Sequence, residues 1–347
     1  MRATSWLITG GCGFIGRRLV ETLHRKDEQC KLRVLDDLSI GELDCLRAFC
    51  KVEERDSVSG ALPAIEPGIV QFVHGDVKDR RTLDLAVRDI DVVVHLAANT
   101  GVAPSVEDPR ADCANNVIGT LNALESARHF GVRRFIFASS GAPLGEVTPP
   151  VREDVAPRPV SPYGASKLAG EGYCSAYART FGVETVVLRF ANVYGPGSRH
   201  KSSVVAKFIQ DAMGPGVLHI NGDGSQTRDF LYIDDLVEAV LAASNANGVS
   251  GEIFHIATER ETSIGELVRI IDAKLAQCGL RSPRIVYERP RRGDVVRNYA
   301  DTRKARQFLG WSWRTNIEDG IDLTLRWFLD RERRHADQRK AAPGETA

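Results

Sequence analysis

The sequence predicts an α/β protein: a doubly wound parallel sheet followed by a smaller C-terminal α/β lobe. Three observations predict it. Short apolar runs alternate with amphipathic stretches as far as residue 200. Several of those runs lack the in–out alternation of a half-exposed sheet, which is the mark of strands covered on both faces. The first run ends in a glycine-rich turn that opens a helix, as the first unit of a βαβ fold requires.

In chain order, the strands are expected at 5–9, 32–35, 69–73, 92–96, 135–138 and 185–188. The helices between them begin near Phe14, Ser39, Asp79, Ala111, Tyr163 and Ser202. Residues 52–68, with Glu53-Glu54-Arg55-Asp56 and two prolines, read as a surface loop. A Pro-rich segment over 149–162 is expected to rise over the site. Beyond residue 200 the rhythm loosens into strands at 218–220, 230–233, 253–256 and 285–287, with helices starting near Asp234, Ser263 and Ile317. The expected division is a cofactor-binding domain over 1–200, a mainly substrate-binding lobe over 201–330, and a charged, disordered tail over 331–347.

Bulk properties narrow the function. A chain of 347 residues suits two intimately packed domains, and 43% hydrophobic residues supply their cores. The 46 basic and 46 acidic residues cancel, so no overall field draws the chain to nucleic acid or to an anionic membrane. No apolar run approaches the roughly 20 residues of a membrane span. The N-terminus passes straight into a strand without a secretory signal. Seven cysteines form no CxxC pair and no His-flanked metal pattern, which fits reduced thiols in the cytoplasm and no metal site.

Thr9-Gly10-Gly11-Cys12-Gly13-Phe14-Ile15-Gly16 follows the first strand. Gly10 would make the tight turn, Gly13 would let the backbone approach a pyrophosphate, and Gly16 would let the helix pack closely. Phe14 and Ile15 open the helix whose amides face the phosphates. Asp36 stands at the next strand end, where a carboxylate accepts from the adenosine ribose hydroxyls. With Asp37 beside it, a 2′-phosphate would be repelled, so the dinucleotide expected of this Rossmann-type unit is NAD. Arg17 and Arg18 are a counter-signal, read as solvated helix positions. In Gly75-Asp76-Val77 the carboxylate could receive the adenine amino group, or Asp76 could cap a helix. Leu96-Ala97-Ala98 give a small-residue strand end over which a cofactor can lie flat.

Tyr163 and Lys167 lie one helical turn apart on one face. An unperturbed phenol near pKa 10 is a poor base at neutral pH, and a fixed ammonium together with the positive nicotinamide ring beside it would lower that value. Ser140, at the end of the strand before, could donate to the substrate hydroxyl or relay its proton.

With 95-His-Leu-Ala-Ala-98, 116-Asn-Val-Ile-Gly-Thr-120, 189-Arg-Phe-Ala-Asn-Val-Tyr-Gly-Pro-196, Arg228-Asp229-Phe230 and Arg291-Arg292-Gly293-Asp294, the chain resembles the extended short-chain dehydrogenase/reductases, specifically the NAD-dependent epimerase/dehydratase family. It is most similar to the UDP-glucose 4-epimerase group. The resemblance runs from Gly10 to about Trp327. It implies NAD as cofactor, with Asn116 near its nicotinamide. It implies a nucleotide-sugar substrate, such as a UDP-sugar, lined by Asn192, Ser203 and Val204, with Arg228, Arg291 and Asp294 holding its diphosphate and ribose. It also implies pairing into a homodimer through the helices near 111–130 and 162–181.

For the reaction, the resemblance implies that Tyr163 takes the proton of the sugar 4-hydroxyl while the 4-hydride passes to NAD; the flat ketone turns over and regains hydride on its other face. Related dehydratases carry a carboxylate just after the serine or threonine. Here Ser139-Ser140-Gly141-Ala142-Pro143-Leu144-Gly145 has none, which favours simple epimerisation. A dehydratase or reductase of the same family, and a non-catalytic NAD-sensing protein, are the alternatives. Retention of Ser140, Tyr163 and Lys167 speaks against the last. Pro143-Leu144 stands where family epimerases usually have Val-Tyr, so the loop after Ser140 is expected to differ in shape.

Overall fold

The computed structural model describes residues 4–55, 61–200, 203–290 and 296–341. In chain order its strands are β1 (Ser5–Thr9), β2 (Lys31–Asp36), β3 (Lys51–Arg55), β4 (Ile69–His74), β5 (Val92–His95), β6 (Arg134–Ser140), β7 (Thr185–Phe190), β8 (Asn192–Tyr194), β9 (Val217–Asn221), β10 (Thr227–Arg228), β11 (Phe230–Tyr232), β12 (Glu252–Ile256), β13 (Thr262–Ser263) and β14 (Arg284–Glu288). The helices are α1 (Phe14–Lys26), α2 (Asp44–Arg47), α3 (Arg80–Val87), α4 (Val102–Glu107), α5 (Pro109–Cys113), α6 (Gly119–His129), α7 (Pro162–Phe181), α8 (Val204–Met213), α9 (Ile233–Asn245), α10 (Ile264–Gln277), α11 (Arg303–Leu309) and α12 (Ile317–Ala341).

Eight strands form one sheet in the order β12-β7-β6-β5-β1-β2-β4-β3, every neighbouring pair parallel. Side chains alternate between two apolar layers. Ile8, Val94 and Ile136 join one core with α1 and α9, while Leu7, Val93, Phe135 and Phe137 join the other with α3, α6 and α7. That two-sided burial is why the strands read as unbroken apolar runs. The chain leaves β1 to one side for β2 and returns on the other for β5. The crevice at that switch, beyond the strand ends, is where an open α/β sheet binds ligands.

The six expected strands of the first 200 residues are all present. Residues 51–55, read as the start of a surface loop, instead form the edge strand β3. Its charged side chains suit an edge, where one flank meets solvent. Residues 253–256, expected in the smaller lobe, pair with β7 and extend the main sheet. The remaining late strands make three small two-stranded sheets: β8 with β11, β9 with β14, and β10 with β13. The charged stretch from Arg331, read as a disordered tail, continues α12 to Ala341, and residues 342–347 lie outside the described residues. The Pro-rich segment is tied down by Val151, which exchanges backbone hydrogen bonds with Tyr299 (3.0 Å) and Asp301 (2.9 Å).

Two buried histidines brace the sheet. His95 bridges Thr9 (2.8 Å) and Thr120 (3.2 Å), and His255 lies on β12. Burial holds both near pKa 3, with Lys167 and Arg189 respectively pushing the same way. Between that value and the ordinary 6.5 the unfolded chain binds protons that the native state refuses. Their contribution is therefore complete above pH 6.5 and is lost as pH falls, at roughly 1.4 kcal/mol per pH unit for each histidine. Urea midpoints measured between pH 7 and 4 should show this slope, and His255→Gln should reduce it by about one histidine's share.

Candidate active site

A cleft of about 940 Å³ opens over the β1/β5 switch and runs from the ends of β2 and β4 to the ends of β6 and β7. At its centre the turn after β1 passes against the exit of β5. Gly10 has φ +68°, and a Cβ there would lie 2.8 Å from the Ala97 nitrogen. Only glycine accepts both the left-handed backbone and that contact. A Cβ on Gly16 would meet the Gly10 carbonyl oxygen at 2.3 Å, so the first turn of α1 is pressed onto the loop itself. Gly13 is the N-cap of α1 in an extended conformation and contributes no side-chain cap. The helix thus begins as bare backbone facing the cleft, an arrangement that receives phosphate.

At the β2 end, Asp36 accepts hydrogen bonds from the amides of Cys12 (2.9 Å) and Leu38 (2.8 Å). Burial raises its pKa and those amides work against the rise. Its carboxylate is therefore fixed at the cleft wall rather than swinging in solvent. Asp76 also lines the cleft; its Oδ1 accepts from the Lys78 amide (2.8 Å), while the cap of α3 is Asp79 and not Asp76. Val77, Leu96, Ala97 and Ala98 lie along the same floor. These residues fit NAD: a glycine cradle with no room for a Cβ, a helix start, and a carboxylate at the ribose position.

Asn116 behaves differently from the expectation. It is buried on an irregular turn over 114–118, and its amide grips the Asn99 backbone on both sides, N–H at 2.8 Å and C=O at 2.9 Å. Asp112 accepts a further bond at 2.8 Å. Asn116 therefore shapes the β5 exit from behind and does not line the cleft. Arg17 and Arg18 also differ from their reading as solvated positions: Arg17 lines the cleft, and Arg18 forks onto Asp234 at 2.6 and 2.8 Å.

Tyr163, Ser140 and Lys167 converge on the other end of the cleft. Ser161 caps α7, its side chain accepting from the Gly164 amide at 3.1 Å, and so sets where Tyr163 emerges. Lys167 is buried, donates to the Ala138 carbonyl at 2.8 Å, and lies 5.9 Å from the Tyr163 ring centre. Ser140 Oγ accepts the Ala142 amide at 3.2 Å, leaving its proton for the phenol. Burial pushes Tyr163 up to about 12 against the Ser140 hydrogen bond, with buried Asp112 adding to the rise. Burial draws Lys167 down to about 8. Desolvation of both groups thus outweighs the lysine cation, the first of the two charges expected to acidify the phenol; the second is the positive nicotinamide ring.

Asn192 and Ser203 line the cleft, whereas Val204, the first residue of α8, stands just behind Ser203. Arg228, on β10, donates to the neighbouring Thr227 carbonyl at 2.7 Å and is not on the cleft wall. Arg291 and Asp294 lie outside the described residues. Leu144 turns inward against Val151, Ala257 and Ala300, so the Pro143-Leu144 departure builds packing beneath the loop.

Sequence reasoning missed the support under the serine strand. Glu171 on α7 accepts from Ser139 (2.6 Å) and from Nε and Nη2 of Arg189 (2.8 and 2.7 Å), all three residues buried. The glutamate and arginine are 18 residues apart and no local pattern pairs them. Removing one partner strands a buried charge, so Glu171→Ala should cost about 3–5 kcal/mol, read by chemical denaturation.

Residues 6–257 match the family model described as the NAD dependent epimerase/dehydratase family. A Methanocaldococcus jannaschii protein, provisionally named a UDP-glucose 4-epimerase, is 37% identical over 94% of this chain and 99% of its own. The UDP-glucose 4-epimerase of Mycolicibacterium smegmatis is 34% identical over 94% and 98%. The crystal structure of Thermotoga maritima UDP-glucose 4-epimerase with UDP-glucose superposes with a TM-score of 0.83 at 33% identity, covering 95% of this chain and all of that one. Glycine cradle, Ser–Tyr–Lys cluster and whole-chain likeness agree: the protein belongs to the NAD-dependent epimerase/dehydratase family and uses NAD.

Proposed function

We propose that the protein is a UDP-sugar 4-epimerase. The observation that carries this reading is the distribution of carboxylates. Among the described residues, the acids lining the cleft are Asp36, Asp37, Glu42, Asp44 and Asp76. All belong to the β2–β4 side, separated from Ser140 on β6 by β1 and β5, or about 14 Å at normal strand spacing. Among the described residues, no acid that lines the cleft stands beside Ser140 and Tyr163 to protonate a departing 6-hydroxyl, as a dehydratase needs; Asp112, whose field reaches Tyr163, is buried outside the lining. What remains is a base, a positive lysine and a hydroxyl donor, sufficient to take a proton from one hydroxyl and return it.

In this mechanism NAD, held by the turn from Gly10 to Gly16 and by Asp36, would supply a reversible hydride acceptor for C4. Tyr163, as phenolate, accepts the 4-hydroxyl proton as the C4–O bond becomes a carbonyl, and returns it when the alcohol re-forms. Ser140 hydrogen bonds to the same oxygen and holds it against Tyr163. Lys167, anchored on Ala138, keeps a cation beneath the phenolate. Asn192 and Ser203 bind the sugar side, with Arg291 and Asp294 as the further substrate contacts. Asp36, Asp76, Val77 and the residues from Leu96 to Ala98 bind the adenosine and nicotinamide halves. Residues 201–330 form mainly the substrate lobe. The protein works in the cytoplasm as a homodimer paired through α6 and α7, on which Tyr173 and Phe181 are exposed; no helix among the described residues is long and apolar enough to cross a membrane.

Three outcomes test the reading. Incubation with a panel of UDP-sugars, without added cofactor, should yield 4-epimers; a 4-keto-6-deoxy product would replace this assignment with dehydration. Tyr163→Phe should lower kcat by at least about 10²–10⁴-fold, the worth of a positioned acid–base group, while NAD stays bound. Because burial holds the phenol near 12 without cofactor, its ultraviolet titration should move to lower pH when the positively charged NAD is added, and this shift should be absent from Tyr163→Phe.

A further inference from the structure

One wall of the cleft comes from the last helix of the chain. Ile321, Leu325 and Phe328 bury one face of α12 against the rest of the fold, where it packs on α8, α10 and β11. Trp327, Arg331 and Arg334, spaced i, i+4 and i+7, put a second face into the cleft opposite Gly13, Phe14 and Arg17. The Arg331 guanidinium carbon lies 5.6 Å from the Trp327 ring centre, which holds this half-buried side chain in place. From the other side, Arg17 reaches along the start of α1: a Cβ at Gly197 would come within 3.5 Å of its Nη1 and 3.7 Å of the Phe14 ring.

Arginines are thus gathered at the point where the glycine cradle expects phosphate. Arg331 loses basicity to burial first, then to the field of Arg199, with Glu42 and Glu332 opposing and Arg17 adding to the loss. Arg17, Arg331 and Arg334 line this stretch of the cleft together, and a diphosphate there brings charge of the opposite sign. A guanidinium fork also matches phosphate oxygens in pairs. The cofactor's diphosphate is favoured over the sugar's, because Arg17 directly follows Gly16 and lies beside Phe14, within the cradle itself.

We propose that Arg331 and Arg17 grip the NAD diphosphate from the side opposite the backbone of the glycine cradle, so that α12 straps the cofactor into the cleft. This deepens the epimerase reading and rests on it for its purpose. An enzyme that regenerates its cofactor in each cycle must keep the reduced form bound while the ketone turns, and a second set of diphosphate contacts lengthens that residence.

The test is binding, measured without any sugar present. NAD and NADH are titrated into wild type, Arg17→Ala, Arg331→Ala and the double variant, with UDP titrated in parallel. Each single variant should bind NAD roughly ten- to hundredfold more weakly, as expected for a lost charged hydrogen-bonding partner, with UDP affinity unchanged. Arg331→Lys keeps the charge and the helix but not the fork; it should lie between wild type and alanine, and it carries the test if the alanine variant does not fold. Indole excitation should produce nicotinamide emission from bound NADH, and Trp327→Phe should remove most of it. NAD affinity within twofold of wild type in folded Ala or Lys variants overturns the proposal. So does a loss confined to UDP, which would assign the arginines to the sugar diphosphate. If NAD weakens as stated but no UDP-sugar is epimerised, the reaction assignment fails and the strap stands.

Discussion

The structure depends on how closely two strand ends approach each other. The turn after β1 passes the β5 exit with so little clearance that a single added carbon at Gly10 would sit 2.8 Å from the Ala97 backbone. That contact lets the start of α1 rest above the switch in strand order. It also leaves a shallow, small-residue floor over which a dinucleotide can lie. Thr9, His95 and Thr120 hold the two strands from within, and Asn116 holds the β5 exit from behind by binding both polar groups of Asn99. The cofactor site is thus made of backbone held in position by buried polar side chains that lie outside the cleft lining.

The chemical end is governed by burial more than by charge. Lys167 and Tyr163 are close enough to influence one another, yet desolvation moves both toward neutrality, the lysine down to about 8 and the phenol up to about 12. The phenol stays protonated until a positive charge in the cleft beside it offsets that burial. This has a chemical consequence: a base that is ionised only when the positively charged hydride acceptor is in place does not act on substrate prematurely. The Ser139–Glu171–Arg189 cluster beneath supplies the rigidity, since a buried ion pair with a shared hydroxyl has few alternative arrangements.

Different stretches of the cleft carry opposite electrostatic character. Carboxylates gather around the ends of β2 and β4, and guanidiniums gather where α1 and α12 meet. The neutral balance of the whole chain conceals this separation, so a net charge of zero says little about the ligand. The last helix joins the two halves of the chain, because one face completes the core beside α8 and α10 while the other closes the cleft over α1.

The sequence by itself determined the sheet, the dinucleotide turn and the serine, tyrosine and lysine at the chemical end. These are local signals: an apolar run bounded by glycine, or two polar residues one helical turn apart, carries its meaning within a few residues. Asp76 was left open between two roles because both require the same residue at a strand end. Only the tertiary structure decided what depended on distant pairing. Residues 51–55 became a strand because β4 offered an edge, and residues 253–256 joined the main sheet because β7 did. Glu171 found Arg189, Asn116 turned away from the cleft, and Arg331 arrived at a helix start more than 300 residues earlier in the chain. Such contacts are set by packing between elements, and packing leaves no periodicity in the sequence for a reader to find.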